Sequence, residues 1–385
     1  MAGALVAGLA HRTFLSLTAL FVVAGLVLGR GGLGVLEFDP RSGFVGTLAI
    51  VALILILFRD GLEVEAGMLQ RAWHLPLRKL VLAMPITAGL VACLTAALTN
   101  LSWTESFLVG ALLAPTDPVL SSSVVTNPRV PRIVRHSLNL ESGLNDGLAL
   151  PAVLVFLYAL DPAKSDFVWW QFVLKDVGLG LVVGLAAGFA GARIMPRVRA
   201  LGHEITPHQK ALYGLGVAFG TYALAHAVHG NGLIAVFVGA IALGIRRPDI
   251  RESFETRSED VIEIVKLGVF VVFGAVLTLD GMFQDGAAAV AIVVLTLLVV
   301  RPLAVFVSLL GTSTDTQTRL FMGWFGPKGV ATMTFALLVL GQGVEQGTRI
   351  SNLAGLAVFT SIIAHGLTDT PGSNWMARHA ERNPA

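Results

Sequence analysis

Charge is what this sequence has least of. Asp, Glu, Lys and Arg make up 14% of its 385 residues, where a soluble domain carries about a quarter. The deficit excludes a large water-facing fold and points to one solvated by lipid. Cysteine is nearly absent: Cys93 stands alone, so no intrachain disulfide can form, and its apolar surroundings read as those of a buried packing thiol. An excess of either sign is missing, the formal net charge being +2; nothing in that total calls for a nucleic-acid partner. No basic stretch precedes the apolar start Met1–Ala10, so no removable signal peptide is expected.

What is there is apolar and small. Hydrophobic residues reach 55%, glycines number 42 and the mean hydropathy is +0.76. Small residues let membrane helices approach closely. A bilayer crossing takes about 20 mostly apolar residues, and about twelve such runs can be read along the chain. They centre on residues 13–30, 44–58, 80–99, 106–125, 140–160, 172–194, 209–228, 231–245, 261–279, 287–310, 319–341 and 350–368. The seventh and eighth are divided by the turn signal His229-Gly230-Asn231-Gly232.

The even-numbered loops carry the cations. After spans two, four, six and eight come Arg59, Arg71, Arg78, Lys79, Arg129, Arg132, Arg135, Arg193, Arg197, Arg199, Lys210, Arg246, Arg247, Arg251 and Arg257. The odd loops hold little beyond Arg41, Lys164 and Arg349. The positive-inside rule puts the even loops, and with an even span count both termini, in the cytoplasm. Roughly 17 residues follow the last span, too few for a soluble regulatory domain.

An ionisable side chain at bilayer depth costs about 2.5–3.5 kcal/mol on insertion scales and marks function by default. The fourth span reads Ala114-Pro115-Thr116-Asp117-Pro118. Two prolines three apart remove helix hydrogen bonds, so the helix breaks around Asp117. The alternative is a loop between two short spans, with Asp117 as an N-cap. In the fifth span Glu141 and Asn145 share one face, Ser142 and Asp146 the adjacent one, flanked by Gly143 and Gly147. All these donors are oxygens, which hard cations prefer. A helix N-terminus would explain Glu141 but not the deeper Asp146. Arg301 lies within the tenth span, and the eleventh is interrupted at Gly326-Pro327-Lys328-Gly329. A buried cation needs a carboxylate; Glu141 and Asp117 are the available ones. Lys328 is expected to neutralise Asp117 or the broken helix ends, the alternative being that it carries the proton itself.

The breaks at Pro118 and Pro327 lie about 209 residues apart, and the third and tenth spans start about 208 apart. Spans three to five and ten to twelve thus form two three-helix units, each with a broken middle helix. With opposite starting sides they make an inverted repeat, in which paired discontinuous helices mark a transporter's binding site.

With those residues in view the chain resembles the monovalent cation:proton antiporter family, in its NhaP-like, electroneutral sodium/proton exchanger branch. The likeness runs from about Phe14 to Pro371 and rests on four motifs: 114–118, Glu141-Ser142-Gly143-Leu144-Asn145-Asp146-Gly147, Arg301-Pro302-Leu303 and 326–329. Weaker echoes are Leu57-Phe58-Arg59-Asp60-Gly61-Leu62 and His365-Gly366-Leu367-Thr368. The resemblance implies an all-α polytopic fold of about twelve spans with two discontinuous crossed helices. It implies a core bundle near 79–160 and 287–368, a dimerisation bundle near 13–58 and 172–279, and a homodimer in a prokaryotic plasma membrane. It implies that Asp146 carries both cation and proton, that Ser142 and Thr116 add metal-ligating oxygens with Asp117 and Glu141 nearby, and that Glu141, Asn145 and Arg301 form a stabilising cluster. Pro115, Pro118, Gly326, Pro327 and Lys328 support the breaks. No cofactor is implied; Na⁺, with Li⁺ or K⁺ as alternatives, and H⁺ are cargo. Relatives often have arginine where Lys328 stands and an extra helix before the first span; the electrogenic branch has a second aspartate where Asn145 stands, so its absence favours one proton per cation. Competing readings are a carrier of small organic anions, a channel, an intramembrane aspartyl protease using Asp117 and Asp146, and a serine protease pairing Ser142 with His226 or His229.

Overall fold

The computed structural model describes residues 17–40, 43–64, 74–117, 122–161, 167–195 and 205–382. Pro118, the loop cations Arg41, Arg71, Lys164, Arg197 and Arg199, and the first sixteen residues lie outside them. Apart from the breaks at 114–117 and 325–329, the described parts of the apolar runs are mostly helix, and no strand occurs among the described residues. In chain order the helices are α1 Leu17–Leu28, α2 Gly43–Glu63, α3 His74–Leu98, α4 Trp103–Leu113, α5 Ser122–Thr126, α6 Arg132–Ala159, α7 Trp169–Ile194, α8 Pro207–Ala227, α9 Gly232–Arg246, α10 Pro248–Val276, α11 Leu279–Met282, α12 Ala287–Ser308, α13 Thr316–Trp324, α14 Val330–Gly341 and α15 Gly347–Arg382.

Six of these, α2, α3, α6, α7, α12 and α15, are both long and apolar enough to cross a membrane. Helices α4 and α14 are apolar but only 11 and 12 residues long. At 1.5 Å per residue each covers about 17 Å, little more than half of a hydrocarbon core of about 30 Å. Each therefore ends inside the bilayer, and the freed backbone groups there must be satisfied by protein.

Helices α1, α2 and α7–α10 pack on one another, and α3–α6 pack with α12–α15. Helices α7 and α9 touch backbone to backbone. A methyl group at Gly184 would lie 2.5 Å from Ala235 O, and one at Gly188 would lie 2.3 Å from Gly239 O. Helices α2 and α14 join the two groups, through a core that includes Leu53, Leu57, Phe335 and Val339.

Three expectations need correction. Ten of the expected loop cations, Arg59, Arg78, Lys79, Arg132, Arg135, Arg193, Lys210, Arg246, Arg251 and Arg257, lie within helices instead, because α2, α3, α6, α7, α8, α9 and α10 run past the ends of the apolar stretches. Cys93 is exposed, not buried; it stands three helical turns from the exposed Leu82, on a face of α3 left uncovered among the described residues. Helix α6 starts at Arg132, nine residues before Glu141, so neither Glu141 nor Asp146 is at a helix N-terminus.

Candidate functional site

The chain breaks between α4 and α5 and between α13 and α14 cross each other. Pro115 and Pro327 lack the N–H that a continuous helix needs. The main-chain amide of Asp117 instead donates to Pro327 O at 2.8 Å. Close approach requires Gly329, where a methyl group would lie 2.4 Å from the Asp117 Cβ.

The freed backbone groups find partners one by one. Asn145 Nδ2 donates to Thr116 O at 2.6 Å and to Thr116 Oγ1 at 3.0 Å. Lys328 Nζ donates to Pro115 O at 3.2 Å, and Thr332 Oγ1 to Leu112 O at 3.0 Å. Asp117 Oδ2 accepts from Val330 N at 3.2 Å, so it caps the helix of the opposite break. Lys328 N donates to Ser361 Oγ at 2.8 Å. Ser361 Oγ is 3.1 Å from His365 Nδ1, and His365 Nε2 is 2.8 Å from Trp324 O. His365 Nδ1 also lies 2.8 Å from Ser361 O; both ring nitrogens thus face a backbone carbonyl, while a neutral imidazole carries one N–H. Both ends of the second break are thereby tied to α15.

Beside the crossing sits a buried ion cluster. Glu141 Oε2 accepts from Lys79 Nζ at 2.6 Å and Glu141 Oε1 from Arg301 Nη2 at 3.0 Å. Lys79 also donates to Ser137 O at 3.2 Å. All three are enclosed, Lys79 at 0%, Arg301 at 3% and Glu141 at 5% exposure. Gly326 leaves the space for the guanidinium: a methyl group there would fall 1.8 Å from Arg301 Nε. Of the two partners available to Arg301 it is Glu141 that serves. Lys328 goes to a broken helix end and not to Asp117. The expected grouping of Asn145 with Glu141 and Arg301 is not what forms, because the Asn145 amide is taken by Thr116. Lys79 occupies that place in the cluster. Sequence reading missed it because a lysine next to Arg78, just before an apolar run, looks like a flanking charge.

Asp146 lies one turn along α6 from Ser142 and is 6% exposed. No donor among the described residues bonds its carboxylate. Ser142 is half-buried, and Thr116 is buried beneath Asn145. The charges that act on Asp146 are Asp60, Asp117, Arg59 and Lys266. Asp60, 2% exposed, accepts from Arg59 Nε and Nη2 at 2.9 and 2.7 Å on Oδ1. Arg59 Nε lies 3.6 Å from Glu63, whose side chain is 47% exposed. Asp60 stands only within a weak motif in the sequence, at the end of an apolar run beside Arg59, and Lys266 in none; Lys266 has apolar neighbours on both sides, Val265 and Leu267, which is the signal that finds it. On the opposite side of Asp146 the packing is apolar. A methyl group at Gly147 would meet the Phe237 ring at 2.4 Å, and Leu150 and Val153 are fully enclosed. Beyond them lies a cavity of about 450 Å³ lined by Leu154, Tyr158, Asp176, Tyr222, His226 and His229, among others. No group of three His, Cys, Asp or Glu suited to a bound metal ion occurs among the described residues.

A polytopic helical membrane protein whose two broken helices cross over buried carboxylates is the class that this fold defines. The chain belongs to the sodium/hydrogen exchanger transmembrane family, whose pattern it matches over residues 1–374. It is 24% identical over 374 residues to the K⁺/H⁺ antiporter NhaP2 of Shewanella sp. (strain MR-4), covering 95% of this chain and 63% of that one. It is 28% identical over 373 residues to the Na⁺/H⁺ antiporter NhaH of Halobacillus dabanensis, covering 91% and 89%. The fold matches that of the sodium proton antiporter MjNhaP1 from Methanocaldococcus jannaschii at pH 8, with a TM-score of 0.81, 21% identity, and 98% and 95% of the two chains covered. The chain spans about three fifths of the length of the NhaP2 relatives it matches.

Proposed function

We propose that the chain is a secondary antiporter, not an enzyme, that exchanges a monovalent cation for protons by competition at Asp146. The observation that carries this reading is a carboxylate in the middle of α6 with no hydrogen-bond donor among the described residues, next to the crossing of two broken helices. A bare carboxylate in low dielectric is costly. A bound proton or a bound cation each removes that cost, so the barrier is crossed with one or the other and never empty. Ser142 and Thr116 supply further oxygens, and oxygen donors suit Na⁺, Li⁺ and K⁺ alike. Na⁺ is the cation we propose; relatives are named for Na⁺ and for K⁺. Asp117 and Glu141 already have partners, in Val330 N and in Lys79 and Arg301. Their role is to hold the crossing in place. This also weighs against a protease dyad, in which two carboxylates share a proton. The compact acidic stripe weighs against an organic anion.

The conformation is read as open to the cytoplasm. Glu63 and Arg59 link Asp60, and so the Asp146 surroundings, to that surface, while Phe237, Leu150 and Val153 close the other side. In this reading 79–160 and 287–368 move as a core against a scaffold of 13–58 and 172–279, in a homodimer with both termini cytoplasmic in a prokaryotic plasma membrane. The test is Asp146→Asn in everted vesicles with a pH-gradient dye, with sodium, lithium and potassium chloride in turn. Dequenching should vanish for every cation; retained dequenching sinks the reading. In the wild type, one-for-one exchange should not respond to an imposed membrane potential.

A further inference from the structure

The end of α15 carries a feature that the exchange site does not use. A cavity of about 330 Å³ is lined by Gln317, Trp375, Arg378, His379 and Arg382. Arg378 and Arg382 are four apart, on one face of the helix. Like charges at that spacing destabilise a helix, and neither guanidinium meets a carboxylate among the described residues. The acids nearby are Asp315 and Glu381. Asp315 Oδ2 is engaged by His379 Nε2 at 2.9 Å and by the amides of Gln317 and Thr318 at 3.1 and 3.4 Å. The walls are fixed: Trp375 stacks on His379 at 5.7 Å between ring centroids and on Phe321 at 6.1 Å. Trp375 itself is 42% exposed, and tryptophan is enriched at the membrane–water interface.

We propose that this pocket binds a phosphate-bearing anion at the membrane surface, between the guanidinium groups of Arg378 and Arg382 and the side-chain amide of Gln317. Guanidinium forks match phosphate oxygens in pairs. A volume of about 330 Å³ holds on the order of ten waters at roughly 30 Å³ each, enough for a phosphate and its remaining hydration. The anion removes the repulsion between the two arginines. It also fastens the last helix to α13, which ends at Trp324 just before the second break. The phosphate is supplied either by a lipid headgroup or by inorganic phosphate in solution.

Purified full-length protein is titrated, with thermal denaturation as the readout, against inorganic phosphate, against short-chain phosphatidylglycerol and phosphatidic acid, and against phosphatidylcholine. The variants are R378Q/R382Q and, as a charge-matched control on the same side of the membrane, R129Q/R132Q. Arg378, Arg382, Arg129 and Arg132 are all exposed, so packing is left intact. Stabilisation by the anionic lipids alone identifies a headgroup site, and stabilisation by inorganic phosphate a soluble one. In either case R378Q/R382Q should weaken apparent affinity at least about tenfold and the control less than about threefold. No stabilisation by any phosphate, or an equal loss in both double variants, overturns the proposal.

Discussion

Removing the Glu141 carboxylate strands two buried cations. Glu141→Gln keeps the shape but leaves Lys79 and Arg301, 0% and 3% exposed, without a counter-charge. Breaking a buried pair from one side costs about 3–5 kcal/mol. For a chain of this length each kcal/mol moves the denaturation midpoint by about 2 °C, so a drop of about 6–10 °C is expected. Lys79→Met is the informative partner. It leaves the Arg301–Glu141 bond at 3.0 Å untouched and takes the trio from one net positive charge to none. What is lost is the charged hydrogen bond to Glu141, worth about 1.5–3 kcal/mol, or about 3–6 °C, together with the longer bond to Ser137 O. The assay is thermal denaturation of detergent-solubilised protein, followed by the fluorescence of its tryptophans. The order of the two variants decides the matter: a Lys79→Met protein less stable than Glu141→Gln, or a Glu141→Gln protein within about 2 °C of wild type, refutes the view that Glu141 is the hub.

Two more predictions follow the same logic. Gly326→Ala drives a methyl group to within 1.8–2.0 Å of Arg301 guanidinium atoms, so its midpoint should fall about as far as that of Glu141→Gln; Gly89→Ala, with no atom within 4 Å of its added methyl, should stay within about 1 kcal/mol of wild type by the same measurement. At the start of α10, the Arg247 hydrogen bonds at 2.8 and 3.1 Å, aided by Lys210 and opposed by partial burial, hold Asp249 down at about 2. A folded-state value below the unfolded one, about 3.9, contributes stability above that value and loses it as pH falls towards about 2. Asp249→Asn should therefore melt below wild type at neutral pH, with the gap closing between about pH 4 and pH 2.

The fold was largely legible because lipid restricts a chain to few solutions: apolar runs had to become helices, and prolines beside Asp117 and Lys328 had to break two of them. Asp146 stood out for the same reason, a carboxylate with uncharged residues for many positions after it. What stayed hidden depended on where helices end. Arg59, Asp60 and Lys79 sit near the ends of apolar runs, and a displacement of a few residues turns a solvated flank into an enclosed ion pair. The partner of each polar group was equally out of reach. Asn145 shares a helix face with Glu141, yet its amide turns to Thr116, because an unwound carbonyl lies within 2.6 Å and a neutral donor is what that carbonyl lacks.

The stitch between Asp117 N and Pro327 O joins peptide to peptide. No exchange of side chains at either position deletes its acceptor, and at position 117 only an imino acid deletes its donor. Random mutagenesis will therefore rarely report on it directly. Replacing the Asp117 amide by an ester, through chemical ligation or nonsense suppression with an α-hydroxy acid, removes one hydrogen and little else, and isolates the contribution of that single thread to turnover.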